Sequence, residues 1–142
     1  MTNLTKMRNW LHTFPGWDEN CVLHTDHTAA EPENCGLYPQ GGEEISRRED
    51  VLGNVSVLCR YRFHLYRLVQ LADPLANAQW LLQFQQWVRQ QSATGAAPRF
   101  GDDPGQERLR AEKGKLSEIS QTGTGTYMVT LTAEFIKNYG GI

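Results

Sequence analysis

Residues 21–35 read CVLHTDHTAAEPENC, two cysteines bracketing two histidines and an aspartate. Thiolate, imidazole and carboxylate are the ordinary ligands of zinc, so the segment poses the question of a metal centre first. Its spacing is Cys-x2-His-x2-His-x7-Cys, through Cys21, His24, His27 and Cys35. Structural zinc sites use two close ligand pairs, each on a tight turn that aims both side chains at one ion. An extended run instead sends Cys21 and His27 to one side and His24 to the other. The preferred expectation is therefore a strand running into an exposed loop at 28–34. A small zinc-binding module or metal-dependent enzyme using Cys21, His24, His27 and Cys35 is the alternative.

Other chemistry finds less support. The glycines of TGTG at 122–125 resemble part of a phosphate cradle, but a strand and not a helix follows them, and no Gly-Lys-Ser/Thr occurs. A hairpin turn accounts for them better. There is no Gly-x-Ser-x-Gly elbow, and Cys59 falls on an apolar strand face, where a thiol stays protonated. The acidic pairs Glu43/Glu44, Glu49/Asp50 and Asp102/Asp103 sit beside glycine, arginine or proline and read as solvated loop surface. His12 and His64 fall near polar faces with no evident partner. These residues predict neither a catalytic site nor a bound cofactor.

The basic residues raise a different possibility. Arg60 and Arg62 share the polar face of one strand with an aromatic neighbour, Tyr66, while Arg67 has the opposite parity. Three arginines make a weak footprint for nucleic acid, whose affinity comes from many phosphate contacts. They serve equally well in ion pairs across a subunit interface. A net charge of −2, from 14 basic and 16 acidic side chains, likewise argues against a nucleic-acid binder.

The elements that must position these groups follow from patterning. At 142 residues the chain is expected to form one domain. No stretch approaches the ~20 apolar residues of a membrane span, and no signal-peptide core is evident. Three cysteines without an export signal then suggest reduced thiols in the cytosol. Leu4, Met7, Leu11 and Phe14 recur at helical spacing, with Thr2 or Asn3 as cap and Pro15-Gly16 as terminator. LYPQGGEE at 37–44 reads as a loop. Residues 51–68 alternate strictly: Val55, Val57, Cys59, Tyr61, Phe63 and Leu65 on one face, polar side chains on the other, Leu58 excepted. This predicts a strand well beyond the usual ~5–6 residues, bending at Gly53 or overrunning the domain body.

Asp73-Pro74 opens a second helix with an apolar stripe of Trp80, Leu81, Phe84, Trp87 and Val88, closed by Gly95. Residues 98–125 read as a long, charged loop or hairpin arm containing a ragged strand. Tyr127, Val129, Leu131, Ala133 and Phe135 mark another half-buried strand. The economical arrangement is α+β, two helices packed on one face of a mainly antiparallel sheet. A strand that overruns its domain and an unattached arm suit an assembling subunit better than a self-contained monomer. The stretches 51–68 and 98–125 are the expected contacts, with Arg60, Arg62, Arg108 and Arg110 as polar interface residues.

The segments NWLHTFPGW, GLYPQG, REDVLGNVSVLCRYRFHLYR, WLLQFQQWVRQQSATGAAPRFGD and ERLRAEKGKLSEISQTGTGTYMVTLTAEF cover nearly the whole chain. In combination they resemble small proteins encoded in prophages of Gram-positive bacteria, among the head–tail and tail genes. The element order is similar to the tail-terminator (tail-completion, head–tail joining) family of phages and phage-derived contractile particles. That resemblance implies a non-enzymatic virion structural protein. It would form a hexameric ring that caps the tail tube and joins it to the neck, possible neighbours being tube, sheath and neck proteins. Double-stranded DNA would pass through the lumen without specific binding. The protein would reside in the host cytoplasm during assembly and then in the particle. A neck connector or adaptor on the portal side is the alternative within the same gene neighbourhood.

Overall fold

The computed structural model describes residues 2–17, 22–25, 34–119 and 123–140. The chain runs α1 (Asn3–Leu11), β1 (Val22–Thr25), β2 (Asn34–Glu49), β3 (Val55–Gln70), α2 (Pro74–Thr94), a single 3-10 turn (Pro104–Gln106), β4 (Arg108–Ile119) and β5 (Thr124–Tyr139). The five strands form one sheet in the order β1-β2-β3-β5-β4. Only the short β1–β2 pair is parallel; the other three pairings are antiparallel. This is the expected α+β class.

Both helices begin where the sequence places their caps. Thr2 Oγ1 accepts the Thr5 amide, and Asp73 accepts the Ala76 amide with Pro74 at the first turn. Gly95 ends α2 in the left-handed region, at φ 78°, where a side chain is costly. The helices pack on the same sheet face. Met7, Trp10 and Leu11 of α1 join Leu81, Phe84 and Val88 of α2 over Phe63, Leu65, Val69, Val129, Leu131 and Phe135. These strand positions are all odd-numbered, so period-two alternation decides which face meets the helices. Burying a side chain such as Phe84 contributes ~1.5–3 kcal/mol.

An aromatic seam locks the helices together. Trp10 stacks on Trp87 at 4.6 Å, and Phe14 meets Phe84 edge-on at 5.3 Å. Arg67, the arginine of opposite parity, faces this layer and lays its guanidinium 4.2 Å from the Trp80 ring centre, a cation–π contact.

Two expectations need correction. Residues 37–44 are not a loop but lie within β2, which pairs with β3 along its length. Pro39 and the glycines are tolerated because the register shifts between Pro39 and Gly42: a bulge at an edge, with Gly41 at φ +81°. Gly42 also underlies Tyr61, where a Cβ would stand 2.4 Å from the ring. Residues 51–54 belong to a turn, so the long strand is 55–70 and not 51–68. Of the loop expected at 28–34, residues 28–33 lie outside the described residues, and Asn34 already opens β2.

The overrun itself is present. β2, β3 and β5 each run 16 residues, and β2 is solvent-exposed from residue 40 onward. The β2–β3 hairpin closes tightly: Asp50 Oδ1 accepts the Leu52 and Asn54 amides at 2.8 and 3.0 Å. Val51 and Leu52 stand at its tip, 101% and 75% exposed.

Candidate assembly edges

Of the four possible zinc ligands, Cys21 and His27 lie outside the described residues. The two that are described do not converge. Leu23 is paired with Cys35 across β1 and β2, and both are buried on the helix side. His24 is the next residue along β1 and so turns to the opposite face. Among the described residues no three or more His, Cys, Asp or Glu side chains gather in a metal-binding group. The Cys59 thiol lies on the helix side of β3, and burial pushes its pKa up, away from nucleophilic character.

Arg60, Arg62, Arg108 and Arg110 all stand on the helix-free face. The ladder sets Arg60 and Arg108 on either side of Glu134, and Arg62 and Arg110 on either side of Thr132. Arg60 reaches Glu43 at 3.2 Å and Glu134 at 3.6 Å, and Arg62 reaches the same Glu43 oxygen at 3.3 Å. Arg110 bonds Glu134 at 2.8 Å and lies 3.6 Å from Glu112. Thr130 and Thr132 are buried beneath these long side chains although neither described helix covers them. Three of the four arginines are therefore engaged within the chain. Arg108 makes no ion pair among the described residues. Singly such exposed pairs contribute ~0–1 kcal/mol, and what they add here is order across the face.

The sheet edges are treated selectively. On β4, the outward amide of Leu109 donates to Ser92 Oγ of α2 at 3.0 Å, and the Ala111 carbonyl accepts from Gln85 Nε2 at 3.5 Å. The helix thus closes this part of the edge. Past the end of β4, the loop at 100–103 closes β5: the Asp102 amide donates to the Ile136 carbonyl at 2.7 Å. The Asp102 carboxylate accepts the Asn138 amide, also at 2.7 Å. That bond, with Lys137 nearby, holds the Asp102 carboxyl below the usual carboxylate range. Glu107 braces the loop by accepting the Phe100 and Gly101 amides. Gly101 itself comes so near β5 that a Cβ would stand 2.4 Å from the Ile136 carbonyl oxygen.

Two stretches have no such cover among the described residues. β1 pairs with β2 only at 34–37, which leaves the outer edge of β2 over 42–49. α2 follows β4 as far as Gly114, where a Cβ would stand 3.0 Å from Leu81 and 3.1 Å from Gln85, which leaves 115–119 past a bulge at Lys113, at φ 57°. The alternation that turns the Leu109 amide outward, carried through the register, also turns the Arg47 and Leu116 amides out of the sheet. Both stretches carry exposed apolar side chains: Ile45 on β2, Leu116 and Ile119 on β4.

Sequence reasoning expected a ragged strand where β4 lies, read the start of the β2 edge as a loop, and missed the groups that close the other edges. Asp102 and Glu107 read as loop charges, and nothing in an amphipathic helix marks Ser92 and Gln85 as partners of a strand. The PRFGD segment carried the one available signal, a buried Phe100 beside a glycine and a carboxylate. No described helix is long and apolar enough to cross a membrane. The chain matches no protein-family model and no curated protein.

Proposed function

We propose that this chain is a structural subunit of a phage tail or phage-derived contractile particle, a tail terminator whose copies form a ring on the end of the tail tube and join it to the neck. The observation that carries the reading is the contrast between edges. Helix and loop groups seal the sheet where they reach it, while two apolar-bearing stretches at opposite margins stay open among the described residues. An exposed strand edge is a template for another chain, and a subunit completed by its neighbours has reason to keep two. The hairpin that overruns the body and ends in Val51 and Leu52 is a further contact surface, ordered by Asp50 before any partner arrives.

The charge balance fits a conduit for DNA. A net charge of −2 holds few counterion-releasing contacts for double-stranded DNA, which is then free to slide. The ion pairs on the helix-free face also consume most of its arginine charge. The ring is expected to be hexameric, with tail-tube protein on one side and neck proteins on the other, assembled in the bacterial cytoplasm.

Native mass spectrometry of the purified protein, alone and with isolated contractile tail tubes, tests this. A cyclic oligomer, seen by electron microscopy at tube ends, is the expected result. Protein that stays monomeric and leaves tube ends bare refutes it.

A further inference from the structure

We propose that copies join head to tail, the open stretch of β4 (115–119) in one copy pairing antiparallel with the open stretch of β2 (42–49) in the next. The inference rests on the assembling-subunit reading above and specifies which edge meets which.

Strand direction permits it. β2, β3, β5 and β4 alternate strictly, so β4 runs opposite to β2. A neighbouring copy in the same orientation thus offers its β2 antiparallel to β4, and the alternation continues across the junction without a break. Charge favours it over pairing of like edges. The β4 stretch and the bulge before it carry Lys113 and Lys115 against Glu118, whereas the β2 stretch carries Glu43, Glu44 and Glu49 against Arg47 and Arg48. Unlike edges cancel this excess, and like edges add to it. Closure favours it as well. A like-with-like junction stops at a dimer and leaves the other edge of each copy bare, whereas unlike edges repeat from copy to copy and close a ring where the rotation between copies allows it.

Proline placed at an outward amide blocks an edge without removing a bond to the neighbouring strand. Arg47→Pro blocks β2 and leaves β4 intact; Leu116→Pro does the reverse. Native mass spectrometry of each variant should show monomers only, whereas an equimolar mixture should form dimers and nothing larger, through its one intact junction. Either variant dimerising alone, or a mixture that stays monomeric, overturns the proposal. Circular dichroism and melting establish that each variant is folded.

Hydrogen exchange on the unaltered protein gives a second measurement that needs no variant. The outward amides in 44–49 and 115–119 should both slow at least tenfold on assembly, and assembly that leaves either set unprotected overturns the pairing. Unaltered protein that never assembles, with or without tubes, defeats the assembly reading itself. Assembly with unprotected edges defeats only this choice of junction.

Discussion

Replacing Gly101 with alanine tests whether the loop at 100–103 is a fitted seal on β5. The added methyl would stand 2.4 Å from the Ile136 carbonyl oxygen, 3.0 Å from its amide nitrogen and 3.0 Å from Phe135 Cβ. Backbone inside a sheet has nowhere to retreat, so the loop must lift. Overpacking of this kind costs ~1–3 kcal/mol. Lifting also breaks the 2.7 Å bond from the Asp102 amide to the Ile136 carbonyl, whose net contribution is ~1 kcal/mol. The Phe100 ring, buried beside Tyr61 and Phe135, is drawn along. The expected total is ~2–4 kcal/mol, which in a domain of this size lowers Tm by on the order of 10 °C. Urea unfolding followed by tryptophan fluorescence reads the change as a shift in midpoint at constant slope. Asp102→Ala removes the carboxylate cap without the clash and should fall between the parent and Gly101→Ala. A Gly101→Ala protein within ~0.5 kcal/mol of the parent would refute the fitted seal, since that is the range of inert surface changes.

Asp50 and Asp102 both have folded pKa values lowered by hydrogen bonds to the charged carboxylate, from Asn54 and Asn138 respectively. Their stabilisation is therefore complete above the ordinary carboxylate pKa and is lost as pH falls through the lower folded values. Acid titration of Tm should show this decline below about pH 4, with a smaller decline in Asp102→Asn; an unchanged profile in that variant counts against the assignment. Gly42→Ala drives a methyl into the Tyr61 ring, which the Asn3 amide and Phe135 hold in place, and should destabilise by ~1–3 kcal/mol in urea. An unaffected midpoint would mean that the bulge re-forms around the added methyl. Ser92→Ala leaves the Leu109 amide without its partner at a cost of ~1 kcal/mol, and exchange at that amide should accelerate; unaltered exchange would show that α2 does not close the edge there.

Most of the fold was legible because it rests on periodicity. The stripe through Trp80, Leu81, Phe84, Trp87 and Val88 and the alternations in β3 and β5 each point one face at one core, and both helix caps follow from single residues. Residues 37–44 misled because Pro39, Gly41 and Gly42 are loop formers by composition, and only the approach of Tyr61 shows why a strand needs them. The closed and open edges were less legible still. Whether a backbone amide finds Ser92, Asp102 or nothing depends on where a helix and a loop come to rest, and no local pattern records that. The ion pairs that Arg60, Arg62 and Arg110 make within the chain were not legible, since their partners Glu43 and Glu134 lie far off in sequence.

The two uncovered stretches are not level with each other. The one on β4 lies beside the β3 residues near 66–69, and the one on β2 beside those near 55–61. In the ring proposed above each added copy would therefore step along the strand direction as well as sideways, and a closed circle would tolerate that step only if every strand leans away from the central axis. In that ring the lean, and with it the number of copies per turn, would follow from how β4 leaves the bulge at Lys113, so Lys113→Gly should alter ring size before it alters ring strength.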